Sequence, residues 1–281
     1  MNSNLFKRII TGVLFVIVLA GGILLDSYSF LVIFSVVTVV GLWEFYSLIE
    51  KFKRAKINRS VHAFGGFLLL SAFFIHASAT DYIGKVSFVP YLIYLLYVYI
   101  SQLYKKDENP LQNWAYIMLG QVYVALPFAL LSLLPFQLVE NEIQYQPVIP
   151  FAFFVFIWIS DSGAYVVGST FGRKRLFERI SPKKSWEGFL GGLLLAIAAS
   201  FMFAYYFPGT LSSLEWLGMA IIIVVFGTWG DLSESLLKRT LGIKDSGNIL
   251  PGHGGILDRF DSVLLASPAC VAYFILLEVL T

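Results

Sequence analysis

Only one cysteine, three histidines and 14% charged residues occur in this chain of 281 residues. A lone thiol, Cys270, inside an apolar stretch excludes a disulfide framework and a thiolate metal site. His62 and His76 stand singly in or near apolar runs, which argues for structural rather than ligand roles. No internal repeat, low-complexity tract or long linker divides the sequence, so one domain spanning 1–281 is expected. The sequon at Asn58 falls on the side expected to face the cytoplasm and carries no weight. What the chain has in excess is apolar surface. With 58% hydrophobic residues, 17% aromatic residues and a mean hydropathy of +0.76, most of it must be solvated by lipid.

A spanning helix needs about 20 mostly apolar residues to cross about 30 Å of hydrocarbon. Such segments fall at residues 9–25, 30–49, 61–79, 86–104, 114–134, 149–168, 188–207, 214–232 and 262–280. The expected architecture is therefore all-α: a polytopic integral membrane protein with about nine transmembrane helices around a cytoplasm-facing polar cavity. With these spans, 19 of the 20 Lys and Arg residues fall on one side, leaving Lys85 opposite. Positive charge accumulates on the cytoplasmic side. The N-terminus and the polar loops are then cytoplasmic and the C-terminus outside. Lys7 and Arg8 precede an apolar run with no small-residue cleavage site, which reads as a retained helix.

Three features place polar groups where lipid would not tolerate them unpartnered. Asp161 interrupts the sixth span. The block Ser181-Pro182-Lys183-Lys184-Ser185-Trp186-Glu187-Gly188 offers hydroxyls, paired lysines and backbone amides at a helix start, a combination suited to phosphate, whereas Arg175 and Arg179 read as solvated loop charges. The polar run 235–261 collects Lys238, Arg239, Lys244, Asp245, His253, Asp258, Arg259 and Asp261, with Asp231 and Glu234 just upstream. If helix continues through 231–239, Asp231, Ser235 and Lys238 share one face. Gly247, Pro251, Gly252, Gly254 and Gly255 surround His253 and would let backbone approach an anion closely. Asp258 and Asp261, at i and i+3, would be ordinary helix caps alone. Together with Asp231 on the same membrane face they suit a hard cation. Carboxylates for Mg²⁺ beside lysines for phosphates are the usual equipment of nucleotide chemistry.

The series Ser235-Leu236-Leu237-Lys238-Arg239, Lys244-Asp245, Gly247, Leu250-Pro251, His253-Gly254-Gly255, Asp258-Arg259 and Asp261 resembles the signature of the phosphatidate cytidylyltransferases, or CDP-diacylglycerol synthases. The stretch from Asp161 through Gly188 resembles a second region of that family, and Glu44-Phe45-Tyr46 is a faint echo in the N-terminal half. The resemblance implies a nucleotidyltransferase that converts CTP and phosphatidate to CDP-diacylglycerol and pyrophosphate in phospholipid biosynthesis, at a bacterial inner membrane. It implies catalytic roles for Asp231, Lys238 and Asp261, and a Mg²⁺ held by Asp231 and Asp261 with Asp258. Lys183, Lys184, Ser185, Arg239, Lys244, His253 and Asp161 become candidate substrate contacts. K⁺ as a second cation and a homodimer are also implied, the latter supported by the small-residue spacing of Gly188 and Gly192. Residues 149–281 would be the catalytic region and helices within 1–136 its scaffold. The bilayer is a partner; nucleic acid is not.

Two rival readings share some of these features. A transporter would also carry intramembrane charge, but with paired discontinuous helices in two repeats, which this sequence lacks. A lipid kinase using CTP would share metal, nucleotide and membrane, and differs in the phosphate it transfers.

Overall fold

The computed structural model describes residues 3–53, 57–79, 82–105, 109–140, 142–247 and 254–280. In chain order the elements are α1 (Ser3–Leu24), α2 (Ser27–Lys53), α3 (Arg59–Ser78), α4 (Tyr82–Val86), α5 (Val89–Leu103), α6 (Pro110–Gly120), a π-helical turn (Gln121–Ala125), α7 (Leu126–Leu131), β1 (Phe136–Val139) and β2 (Glu142–Tyr145). They continue with α8 (Val148–Phe171), β3 (Arg175–Phe177), β4 (Ser181–Ser185), α9 (Trp186–Tyr206), α10 (Ser213–Thr240), α11 (Leu257–Phe260) and α12 (Val263–Leu280). Among the described residues eight helices are long and apolar enough to cross a membrane, and Ile10–Leu24 forms a shorter apolar helix where the first of nine spans is expected. The protein is an all-α, multi-pass membrane protein decorated with two short hairpins. The pairs β1–β2 and β3–β4, both antiparallel, stand where the sequence suggests plain loops.

The chain divides into two compact units: Met1–Gln146 with Asp245–Phe260, and Pro147–Lys244 with Asp261–Thr281. In the first, polar residues set the helix ends. Asp26 Oδ1 accepts the Tyr28 and Ser29 amides at 2.7 and 2.9 Å, so α1 passes to α2 within a few residues. Asn58 caps α3 and Asn109 caps α6, where Pro110 occupies the first turn. Phe30, Phe34, Phe128 and Phe260 pack ring against ring through the interior, the last pair edge to face with ring centroids 5.5 Å apart. Several polar side chains buried in this unit find partners nearby. Gln121 Nε2 donates to His62 O (2.8 Å) and Tyr46 Oη (3.0 Å), Tyr46 donates to Ile117 O, and His62 Nδ1 meets Tyr94 Oη at 2.9 Å. The π-helical turn begins at Gln121 and runs into Pro127, whose missing N–H already breaks the regular ladder. His76 Nδ1 lies 3.2 Å from Gly84 O.

The second unit is built on close helix contacts. Glycines line the seam between α8 and α9: a Cβ on Gly192 would lie 2.5 Å from Ser160 O, and one on Gly188 2.8 Å from Ala164 O. This small-residue pair, expected to favour a dimer, is instead spent inside the chain, and its support for self-association is withdrawn. Helix α10 starts at a capping box formed by Ser212 and Glu215. Its 28 residues make it about 42 Å long, longer than the hydrocarbon core, and apart from Glu215 its charged residues lie in the C-terminal turns. The apolar pattern alone ends this span at Leu232. The helix runs two further turns, and those turns carry Glu234, Ser235 and Lys238 on the face begun by Asp231. Near the other end of α10, Gly218 faces Tyr273, whose hydroxyl donates to Glu215 O at 3.2 Å.

Candidate active site

In the second unit three separate segments bring charge together. Helix α10 supplies Asp231, Glu234 and Lys238; strand β4 supplies Lys184; the turn before α12 supplies Asp261. Lys184 Nζ pairs with Asp231 Oδ2, and Lys238 Nζ pairs with Glu234 one helical turn away. Ser235 Oγ donates to Asp231 Oδ1 at 3.2 Å, which fixes that carboxylate between a hydroxyl and an ammonium. Asp261 lies within electrostatic reach of Asp231, Glu234 and Asp161, and Asp161 of Lys184 and Asp231. The Ser262 amide donates to Asp261 Oδ1 at 2.7 Å.

Gly230 explains why Asp261 can stand beside α10. A Cβ there would meet Asp261 O at 2.5 Å and Ser262 O at 3.1 Å, so only glycine lets the turn press against the helix. Gly230→Ala should therefore push Asp261 from Asp231 and lower turnover about tenfold or more, for an overpacking cost of about 1–3 kcal/mol in stability. Turnover per folded molecule, with folding followed by melting in detergent, checks this. Unchanged turnover would mean that the approach does not matter to catalysis.

The hairpin β3–β4 sets Lys184. Trp186 N donates to Lys174 O, while the Glu187 carboxylate accepts the Arg173 and Lys174 amides at 3.1–3.2 Å, pinning both ends of the hairpin. Lys183 is exposed, its neighbour Lys184 is turned to Asp231, and Ser185 is buried. Ser185 Oγ accepts the Gly188 amide at 3.1 Å and caps α9, so the hydroxyl expected at a phosphate serves a helix end. Arg239 and Lys244 are exposed beyond the cluster, and Arg239 donates to Ile243 O.

Asp258 belongs to the first unit, in a cradle of different character. Its Oδ2 accepts the Ser246 amide (2.9 Å), the Ser246 hydroxyl (3.0 Å) and the Gly255 amide (2.8 Å). Alongside, Glu44 of α2, only 4% exposed, accepts the Ile256 and Leu257 amides at 3.0 Å each. The glycines of the signature are now accounted for. A Cβ on Gly247 would stand 2.6 Å from Glu44 Oε1, one on Gly255 2.5 Å from Glu44 Oε2, and Gly254, at φ +82°, faces Asp258 Oδ2. They leave room for carboxylates of the protein itself. His253, with Leu250, Pro251 and Gly252, lies outside the described residues.

Sequence reasoning names Glu44 only as part of a faint echo and misses its partnership with a loop more than 200 residues away. The available signal was a carboxylate in the middle of an apolar span. Glu234, 1% exposed, stands out in the sequence merely as a nearby charge.

The donors in the α10 cluster are carboxylate oxygens interleaved with ammonium groups, hard ligands that fit Mg²⁺ and not a thiophilic metal. Among the described residues no three acidic, imidazole or thiol groups form a ready-made metal cage. Mg²⁺ commonly takes one or two carboxylates and completes its shell with water and substrate phosphates, so the set present suits it.

Apolar spans with carboxylates and amines interleaved at one cluster define a polytopic membrane protein with a polar site suited to phosphate groups. The chain belongs to the cytidylyltransferase family, which it matches over residues 6–277, and is thus a nucleotidyltransferase. It is 35% identical to the phosphatidate cytidylyltransferase of Bacillus subtilis over 96% of this chain and 97% of that protein. It is 29% identical to the one from Haemophilus influenzae, covering 91% and 93%. Against the one from Staphylococcus haemolyticus the identity is 34%, over 72% and 74%.

Proposed function

We propose that this chain is a phosphatidate cytidylyltransferase of a bacterial inner membrane, with its N-terminus and polar loops in the cytoplasm, where CTP is found. The observation that carries the reading is the juxtaposition of Lys184, Asp231, Lys238 and Asp261 at the ends of membrane spans. The relatives' shared name supports the choice of lipid substrate.

In the proposed reaction a phosphate oxygen of phosphatidate attacks the α-phosphorus of CTP. One P–O bond forms, the bond from the α-phosphorus to the bridging oxygen breaks, and pyrophosphate leaves with that electron pair. Phosphatidate is already anionic near neutral pH, so a strong base is unnecessary. The barrier lies in bringing two anions together, and positioning with charge neutralisation lowers it. Lys183 and Lys184 would hold phosphate groups at the hairpin. Lys238 would steady the nucleophile or the leaving pyrophosphate, and Asp161 would close the polar region from α8. Asp231 and Asp261 would hold Mg²⁺, which when bound supplies positive charge against the nucleotide phosphates. Asp258 enters the proposal as the anchor of the signature loop. K⁺ as a second cation, and a homodimer, rest on the family resemblance alone.

Tracing phosphorus tests the reaction. With purified protein, phosphatidate, Mg²⁺ and CTP labelled separately at the α and γ positions, α label should appear in lipid and γ label in pyrophosphate. Label from the γ position in lipid would make the enzyme a kinase. No transfer to lipid at all would remove phosphatidate as the acceptor.

A further inference from the structure

The hairpin between α8 and α9 does more than deliver Lys184. Arg173, Lys174, Arg175, Arg179 and Lys183 are all exposed on it. Its two acidic residues, Glu178 and Glu187, leave a surplus of positive charge, and Glu187 is held at the hairpin's base by the Arg173 and Lys174 amides. Phe177, at the turn, is 49% exposed, and Phe171 and Trp186 at the two ends are 66% and 50% exposed. Outward aromatics among cations are the composition of a membrane interface and not of a loop bathed in water. The geometry keeps the hairpin there. Strand β3 begins four residues after α8 ends, a reach of at most about 14 Å. At its other end β4 runs directly into α9, so the hairpin is tethered at both ends close to the leaflet, whose field fades over a Debye length of about 8–10 Å.

We infer that the β3–β4 hairpin lies on the membrane surface, its Phe177 tip among lipid headgroups, and binds anionic lipid phosphates that it gathers beside Lys184. Adjacent residues of β4 serve the two ends of this path, since Lys183 faces outward and Lys184 faces Asp231. A nucleotide polyphosphate is the competing anion. The exposed aromatic rings and the short tether to two spans favour lipid. Docking stands independently of the proposed reaction; only its kinetic consequence rests on phosphatidate being the substrate.

The test uses the full chain in nanodiscs of phosphatidylcholine, with or without phosphatidylglycerol. A nitroxide is attached at Phe177→Cys, since Cys270 is 0% exposed and out of reach of the reagent. Collisions with oxygen should rise and those with an aqueous nickel chelate fall when the anionic lipid is present. The contrast should vanish in an Arg175→Gln/Arg179→Gln background. A tip that stays aqueous in both lipids would overturn the inference, whatever the enzyme's substrate proves to be. In the kinetic arm, the same double variant with Phe177 intact should raise the apparent KM for phosphatidate about fivefold per charge removed, with kcat and the KM for CTP unchanged. A rise in the KM for CTP alone would make the patch a nucleotide surface and refute lipid capture.

Discussion

Asp261→Asn and Asp231→Asn should each lower turnover by about 10²- to 10³-fold, the cost of losing one group that stabilises transition-state charge, about 2.7–4 kcal/mol. Their effect on stability should be opposite in kind. Fully ionised, Asp161, Asp231, Glu234 and Asp261 face the ammonium groups of Lys184 and Lys238, four negative charges against two positive, a surplus of two. A like-charge cluster beside apolar spans costs folding energy, and neutralising one member relieves it. Asp261→Asn is therefore expected to melt at the wild-type temperature or above it while turnover collapses. Asp231→Asn gains less, because it also gives up the attraction of Lys184 and the Ser235 hydrogen bond. Melting in detergent alongside turnover decides the matter. A parallel loss of folding and activity in Asp261→Asn would make that carboxylate a structural element. Since Lys184 and Asp231 touch, the Lys184→Ala/Asp231→Asn double variant should lose less than the sum of the single losses.

Glu44→Gln should have the second largest effect, and mainly on the fold of the signature loop. The carboxylate accepts two backbone amides while buried in α2. A glutamine amide keeps one acceptor oxygen and turns an NH₂ toward the other N–H, so one charged hydrogen bond is lost and a donor is left facing a donor. Hydrogen bonds to charged groups contribute about 1.5–3 kcal/mol each, and an unsatisfied buried donor costs about 1–3 kcal/mol more. Hydrogen exchange at the Ile256 and Leu257 amides should accelerate by at least about tenfold, the factor that 1.4 kcal/mol represents. Activity should fall with it, through the loop that leads into Asp261. If exchange at those two amides were unaltered, the clasp would have no energetic weight.

Much of this was legible in advance because lipid is an undemanding reader of sequence. Eight of the expected spans appear as long apolar helices, and residues 10–24 as a shorter one, because a backbone in hydrocarbon must bond within its own segment. The stripe of Asp231, Ser235 and Lys238 follows from helical periodicity once the helix is allowed to continue, and the Ser235–Asp231 hydrogen bond reflects that spacing. Ser185 does stand at a helix start, but capping α9 is a nearer demand on its hydroxyl than the phosphate expected there. The hairpins escape notice because strands this short carry too little alternation to separate from a loop.

Composition and the spacing of charge determined by themselves that the chain is a multi-pass membrane protein and which segments concentrate its polar residues, because burial in lipid and helical periodicity are local, repeating constraints. Which charges meet was decided only by tertiary structure. Pairing Lys184 with Asp231 requires a hairpin and a glycine seam. Closing Glu44 on residues 256–257 requires a chain return of more than 200 residues. Setting Asp261 beside α10 depends on the missing side chain of Gly230. Each is a packing event between segments distant in sequence, and nothing in the local order of residues encodes the partner.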